Sequence, residues 1–355
     1  MQTQCRPCTN APNTSLTGAS YYPRTNGQLD SPLGCNWECV VPYKIYSGQC
    51  IRCNTTNPYD ASKPCVNPGL TVNSSAGPGV RVTLGGVAYR LIRFNASGTI
   101  QFDQDVTIDL LLLGGGGAGG GVYSTVGAGG GGGAGRVVLR YGYKANQGVT
   151  VQVLVGEGGS SDPVDGYSAY SSQVQYTWPN GLSALRGGGG GTAGLSGFSG
   201  ASSGGAGSST GLAGLAYFGY RGGTDSTRGS MGGGGGGSAW IGGNSLACQG
   251  GAGGPGRWLL SNQSSTLFDP DARFLVAGGG GGGSSIGGCQ GGPGSAGGGD
   301  GSPGGGDLPG MDAAPNSGSG GGGASSTSGT VDLAGGRGGS GLVVLRYVED
   351  ECVCA

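Results

Sequence analysis

Few side chains in this sequence could carry out covalent or metal chemistry. Histidine is absent, which removes the residue that most often serves as general base, proton shuttle or metal ligand near neutral pH. Ser-His-Asp and Cys-His nucleophile systems cannot be assembled from the chain alone. What remains is thiol chemistry, on eleven cysteines: Cys5, Cys8, Cys35, Cys39, Cys50, Cys53, Cys65, Cys248, Cys289, Cys352 and Cys354. The pairs Cys5-x2-Cys8 and Cys50-x2-Cys53 have the spacing of a four-thiolate zinc site. Disulfides are the favoured alternative, because five Asn-x-Ser/Thr sequons accompany the cysteines, at Asn13, Asn54, Asn73, Asn95 and Asn262. Cysteines beside sequons point to an oxidising, secretory compartment and to N-linked glycans. Redox catalysis by Cys-x-x-Cys needs a thioredoxin-like βαβ context, which is lacking.

The acidic residues offer less. Asp300, Asp307 and Asp312 lie among glycines, as in calcium-binding nonapeptide repeats, but the repeat does not recur in register. A solvated loop is the simpler expectation for them. Asp162, Asp165, Asp269 and Asp271 sit beside Pro and Gly as turn residues do. No paired-carboxylate motif stands out. Gly-x-Gly-x-x-Gly matches abound from composition alone, none between a strand and a helix, and no Gly-Lys-Ser/Thr completes a phosphate loop. The expectation is a protein that is not an enzyme, with no catalytic, cofactor or metal residues. Tyr21, Tyr22, Tyr167, Tyr170, Tyr217 and Tyr220 suit half-wet contacts, or fill a polar surface.

Composition says what kind of framework holds these residues. Of 355 residues 91 are glycine, and only 10% are charged, with a net charge of −1. No cluster of Lys or Arg offers a footprint for nucleic acid or an anionic membrane. No leader is visible at residues 1–5, and the longest aliphatic run, Leu110–Leu113, is far too short to span a bilayer. Ten glycines precede residue 114 and 81 follow. That shift divides the chain into a cysteine-rich disulfide module (1–67), the first strands of a sandwich (68–113), glycine-rich insertions with interspersed strands (114–341), and a closing strand with a Cys-containing tail (342–355). A module as small and as poor in apolar residues as 1–67 needs cross-links to stay folded.

β-Branched and aromatic runs separated by turn residues predict strands at Val80–Leu84, Val87–Phe94, Thr99–Phe102 and Val106–Leu113. Further strands are expected at Arg136–Tyr143, Val149–Val155, Val174–Trp178, Arg273–Ala277 and Leu342–Val348. Helical periodicity of useful length is absent. Gly135-Arg-Val-Val-Leu-Arg-Tyr141 and Gly341-Leu-Val-Val-Leu-Arg-Tyr347 are nearly one phrase, and each re-enters a strand after a glycine tract. They are expected to belong to one sheet system.

The tracts themselves are Gly114–Gly117, Gly129–Gly133, Gly187–Gly191, Gly232–Gly237, Gly278–Gly283 and Gly320–Gly323. Collagen fails for want of a strict Gly-X-Y period. A flexible linker is the ordinary meaning of such composition. Order costs about 0.5–1 kcal/mol more per glycine than per alanine, so it needs compensation. Extended threefold helices supply it by hydrogen bonding to one another on all sides, and only glycine lets backbones approach so closely. Trp240-Ile241, Trp258-Leu259-Leu260 and Phe274-Leu275-Val276, between the tracts, favour order, since a linker has little use for tryptophan. A Cys248–Cys289 bridge would tie two tracts together.

Three resemblances follow. The stretch Cys35-Asn-Trp-Glu-Cys39 through Tyr43, Tyr46, Gly48, Cys50 and Cys53 resembles epidermal-growth-factor-like and ephrin-receptor-like cysteine repeats, as in protist surface or filament proteins. Gly232–Gly237 with Ser-Ala-Trp-Ile-Gly-Gly-Asn-Ser245 resembles the glycine-rich domain of anaplastic lymphoma kinase and leukocyte tyrosine kinase ectodomains. Ser97-Gly-Thr-Ile-Gln-Phe102 with Asp109-Leu-Leu-Leu-Leu-Gly-Gly-Gly-Gly117 is similar to phage tail adhesins. The last two likenesses imply a mainly β fold, an antiparallel β-sandwich with an inserted polyglycine-II helix bundle, over roughly residues 80–348, beside a small disulfide-rich N-terminal module. The absence of a kinase domain and of a membrane helix leaves receptor signalling outside what they imply.

Because eleven is odd, at least one cysteine cannot pair within the chain. A bridge from Cys352 or Cys354 to the N-terminal module of the same or the next subunit would use the surplus, and head-to-tail bridges build open filaments. The expected function is an extracellular structural glycoprotein, a subunit of a filament or surface appendage of the flagellar-hair type. The alternative is an adhesin or receptor-type ectodomain. Expected partners are further copies of the chain and cell-surface proteins or glycans, without nucleic acid or membrane insertion.

Overall fold

In a computed structural model, residues 70–84, 87–161, 169–170, 182–209, 211–225, 229–258 and 275–348 are described. To these are added four short strands, β1 (Ala19–Tyr21), β2 (Trp37–Cys39), β3 (Tyr43–Tyr46) and β4 (Gln49–Arg52). The chain divides into two compact units, residues 1–71 with 81–90 and 348–355, and residues 72–80 with 91–347. In the first, β1 pairs antiparallel with β2 and β3 with β4.

The fold is mainly β, with antiparallel ladders and no helix among the described residues. The longer strands are β5 (Val72–Ser74), β6 (Val80–Leu84), β7 (Val87–Phe94), β8 (Gly98–Phe102), β9 (Val106–Leu113), β11 (Val137–Ala145), β12 (Val151–Val153) and β18 (Leu342–Val348). Two-residue pieces complete the pairing: β10 (Gly127–Ala128) joins the distant β17 (Ser325–Ser326), while β13 (Ser160–Ser161) pairs with β14 (Ala169–Tyr170) and β15 (Arg257–Trp258) with β16 (Leu275–Val276) over shorter separations. One sheet has the order β11-β9-β18-β7-β6 and a second the order β12-β8-β5. The expected strand at 174–178 lies outside the described residues, as do residues 271–274. The strand expected at Val149–Val155 is shorter, Val151–Val153, and pairs with Gly98–Ile100 of β8.

β9 is the structural centre. Leu113 faces Val137 of β11 on one side and Leu342 of β18 on the other. The two near-identical phrases therefore flank the same strand, but one residue out of step. Val137, third in its phrase, pairs with Leu113, whereas Val343, third in its own, pairs with Leu112. A one-residue slip sends every side chain to the opposite face. The consequence is visible in the two arginines. Arg140 is exposed, and Arg346, its counterpart, is buried and bonded to Asp109, its cross-strand partner. Asp109 also accepts the amide of Gly142 at 2.9 Å. Gly142 has positive φ and lies in the irregularity between Arg140 and Tyr143, which breaks the outer strand β11 and blunts an edge.

On one face of β9 and β18, Ile108, Leu110, Leu112, Val343, Leu345 and Tyr347 are buried, and Tyr347 meets Phe102 of the second sheet edge-on at 5.9 Å. On the other face Leu111, Leu113, Leu342 and Val344 are also buried. There Leu113 reaches Gly318, where an added Cβ would lie 2.7 Å from its Cγ. With both faces covered, the strand reads as an unbroken Leu110–Leu113 run instead of alternating.

Candidate functional site: a hydrogen-bonded glycine body

Where β9 ends, the glycine segments begin, and their backbone bonds follow a rule. In the segment 129–136 each amide donates to another segment, and the direction turns at each residue and repeats every third. Gly129, Gly132 and Gly135 donate to the carbonyls of Ala324, Gly321 and Gly318. Gly130, Gly133 and Arg136 donate to Gly191, Gly188 and Leu185. Gly131 and Ala134 donate to Gly233 and Gly236. The carbonyls of the same segment accept from three others. Gly114, Gly117 and Gly120 donate to Arg136, Gly133 and Gly130; Ser202, Gly205 and Ser208 to Ala134, Gly131 and Ala128; Gly280 and Gly283 to Gly132 and Gly129. One extended segment thus has six neighbouring segments. The segment 278–284 repeats the pattern, donating to 251–254, 129–132 and 299–302 and accepting from 292–295, 320–323 and 232–235.

This arrangement answers the cost of ordering glycine. A hydrogen bond contributes about 0.5–1.5 kcal/mol net, whereas a buried amide left unpaired costs about 1–3 kcal/mol. The gain per residue is of the same size as glycine's excess entropy cost, so dispersion between touching backbones decides the balance. The contact is close enough to forbid other residues. A Cβ at Gly131, Gly132, Gly235, Gly281 or Gly322 would overlap the carbonyl oxygen of Gly280, Gly117, Gly132, Gly292 or Asp300 respectively. Alanine is admitted where a methyl fits: Ala118, Ala134, Ala206 and Ala324 are fully buried. Among the described residues none in the six tracts has positive φ.

The thiols and sequons are placed as follows. Cys248 and Cys289 are disulfide-bonded, closing a separation of 41 residues. Cys39 and Cys50 lie in β2 and β4, and the other seven cysteines lie outside the described residues. Asn73 is exposed in β5, and Asn95 is exposed between β7 and β8, its side-chain oxygen accepting from Arg93 Nε at 2.9 Å. Asn13, Asn54 and Asn262 lie outside the described residues, as do Asp162, Asp165, Asp269 and Asp271.

The three aspartates weighed for calcium are kept apart by separate loops. Asp300 accepts from the amide of Gly294 and Asp312 from that of Arg337. Asp307 gathers Ser326 Oγ, both Ser328 donors and the Thr327 amide. The Ser328 hydroxyl first, then the Ser328 amide and Ser326 hydroxyl, hold its carboxyl down at about 2. A depressed carboxylate supports the native loop above its unfolded pKa of about 3.9, and that support is lost as pH falls through about 2. An NMR titration should therefore find the Ser328 amide still protected at pH 3; loss of protection near pH 4 would contradict the assignment. Among the described residues no three acidic or thiol groups converge as a metal site would need, and no helix is long and apolar enough to cross a membrane.

The described aromatic side chains around Trp240 are not core. Trp240 is 61% exposed and stacks on Tyr220, ring centres 5.8 Å apart; Ile241, Tyr217 and Phe218 are also exposed. Order in this region comes from the backbone, and the rings line its outside.

A family model described as a glycine-rich domain matches residues 95–348. No curated protein matches the chain.

Proposed function

The chain belongs to the glycine-rich domain family over residues 95–348, and from that premise we propose that it is an extracellular structural glycoprotein, a subunit of a filament or surface appendage. The observation that carries the proposal is the sixfold backbone bonding of segments such as 129–136. A threefold alternation of donors and acceptors with negative φ is the pattern of polyproline-II-type chains packed side by side. The body is accordingly a bundle of polyglycine-II helices held between the strands of a β-sandwich, the latter supported by the Phe102–Tyr347 contact between sheets. Such a body resists deformation in every direction across its axis, because bending one segment strains bonds to all its neighbours. That property suits load bearing and leaves no need for a catalytic residue.

The Cys248–Cys289 bridge and the exposed Asn73 and Asn95 support an oxidising, glycosylating compartment. The finer likeness to anaplastic lymphoma kinase-type domains and adhesins, and the N-terminal epidermal-growth-factor-like module, belong to this proposal too. Subunits join through surface contacts and through disulfides made by the odd cysteine. Native chain viewed by electron microscopy should form regular polymers and migrate as ladders on non-reducing gels. A strictly monomeric chain in both would sink the filament assignment.

One observation favours a second reading, an adhesin or receptor-type ectodomain. Tyr217, Phe218, Tyr220 and Trp240 present exposed rings on a rigid support, the residue types enriched at binding hot spots. A monomer that binds a surface protein or glycan through these rings would support that reading instead.

A further inference from the structure

Arg136 leads into β11 and Arg257 opens β15, yet both line one cavity of about 190 Å³ with Ser202, Phe218, Gly219 and Ser238. Among the described residues no carboxylate lines it, and neither guanidinium has an ion-pair or hydrogen-bonding partner. Two like charges at one cavity repel unless an anion lies between them. The Arg136 guanidinium lies 3.8 Å from the centre of the Phe218 ring, so the ring covers its face by a cation–π contact and leaves the N–H edge for a ligand. The hydroxyl of Ser202 is spent on the carbonyl of Gly237 at 3.0 Å. That of Ser238 is buried and has no partner among the described residues. A buried hydroxyl without a partner is penalised, and a hydroxyl beside two guanidiniums is a donor set for oxyanions. A solvated surface arginine pair would account for the charges but not for the orphaned serine.

We propose that this cavity binds an oxyanion, a carboxylate or sulfate group on a small ligand, gripped by Arg136 and Arg257 with Ser238 as a third donor. The volume takes the anionic group and a short carbon skeleton. The charge pair is local in a chain of nearly zero net charge, so recognition rests on geometry instead of a diffuse field.

The test is isothermal titration calorimetry on the full, oxidised chain at ionic strength held constant with sodium chloride. The probes are sodium sulfate, sodium acetate and sodium glucuronate. Saturable one-to-one binding of at least one probe is expected, weakened at least tenfold in Arg257→Gln and in Ser238→Ala. Arg257 is exposed, so its variant should keep the wild-type melting temperature, and Arg337→Gln, exposed and outside the cavity, should keep the affinity. Binding of glucuronate but not sulfate identifies a sugar acid, and the reverse an inorganic or sulfated group. No saturable binding of any probe overturns the proposal. So does equal affinity in wild type and Arg257→Gln, which would mark ionic screening alone.

Discussion

Replacing Gly132 by alanine should destabilise the protein by about 3 kcal/mol, the upper part of the usual range for overpacking, and replacing it by valine should prevent folding. Two effects oppose each other here. Alanine restricts the unfolded chain, which by itself stabilises by about 0.4–1 kcal/mol where the native site accepts it. Against this, the new methyl at 132 would overlap the carbonyl oxygen of Gly117 and crowd that of Ala118. Those carbonyls cannot simply retreat. Gly117 O accepts the amide of Gly321, Ala118 O that of Gly190, and Gly132 itself bonds Gly321 and Gly280. Moving any one segment breaks bonds worth about 1 kcal/mol each in several directions, so packing wins. Valine adds two further carbons in a space that lacks room for the first. The expected readout is a melting temperature lowered by roughly 10 °C for alanine and no cooperative transition for valine. Gly287→Ala is the matched control. It is exposed, has nothing within 4 Å of its added Cβ, and its stability should hold or rise by up to about 1 kcal/mol. Equal tolerance at Gly132 and Gly287 would mean that the tracts are not packed.

Removing the Cys248–Cys289 bridge should cost at least as much. A cross-link over 41 residues limits the unfolded chain by about 4 kcal/mol on the loop-entropy model. In the native fold it clasps segments that are already bonded, since Gln290 donates to the carbonyl of Cys248 and Gly250 to that of Gln290. The effect therefore falls on the unfolded state, and the native hydrogen-bond pattern should survive. The double variant Cys248→Ser, Cys289→Ser should melt roughly 10 °C lower while keeping its amide protection pattern. The paired substitution is needed because reductant would also reach other cysteines. An unchanged melting temperature would show that this bridge does not limit the unfolding that is measured.

The sequence was informative where its signals are local. β-Branched runs bounded by turn residues placed β6, β7, β9 and β18 at their observed ends. The echo of 135–141 in 341–347 pointed to one sheet system. It could not reveal the one-residue offset that leaves Arg140 exposed and buries Arg346, because register is set by β9 and by the irregularity at Gly142, not by the phrase. Glycine runs announced close backbone approach, but which segment lies beside which was illegible. Side chains normally carry that information, and these segments have none. Trp240 pointed to order but not to its own position, which is largely exposed, since hydrophobicity alone does not say which side of a backbone-built body a ring lies on. The cavity at Arg136 and Arg257 was equally hidden, joining residues far apart in sequence through a fold no motif encodes.

Amide hydrogen exchange read by mass spectrometry across residues 114–341 tests the bonded body most directly. Amides of Gly129–Gly133, Gly278–Gly283 and Gly320–Gly323 should exchange only through global unfolding, as slowly as those of β9 and β18. Exchange in those tracts as fast as in an unstructured glycine peptide would contradict the bundle and reduce it to a tether between strands.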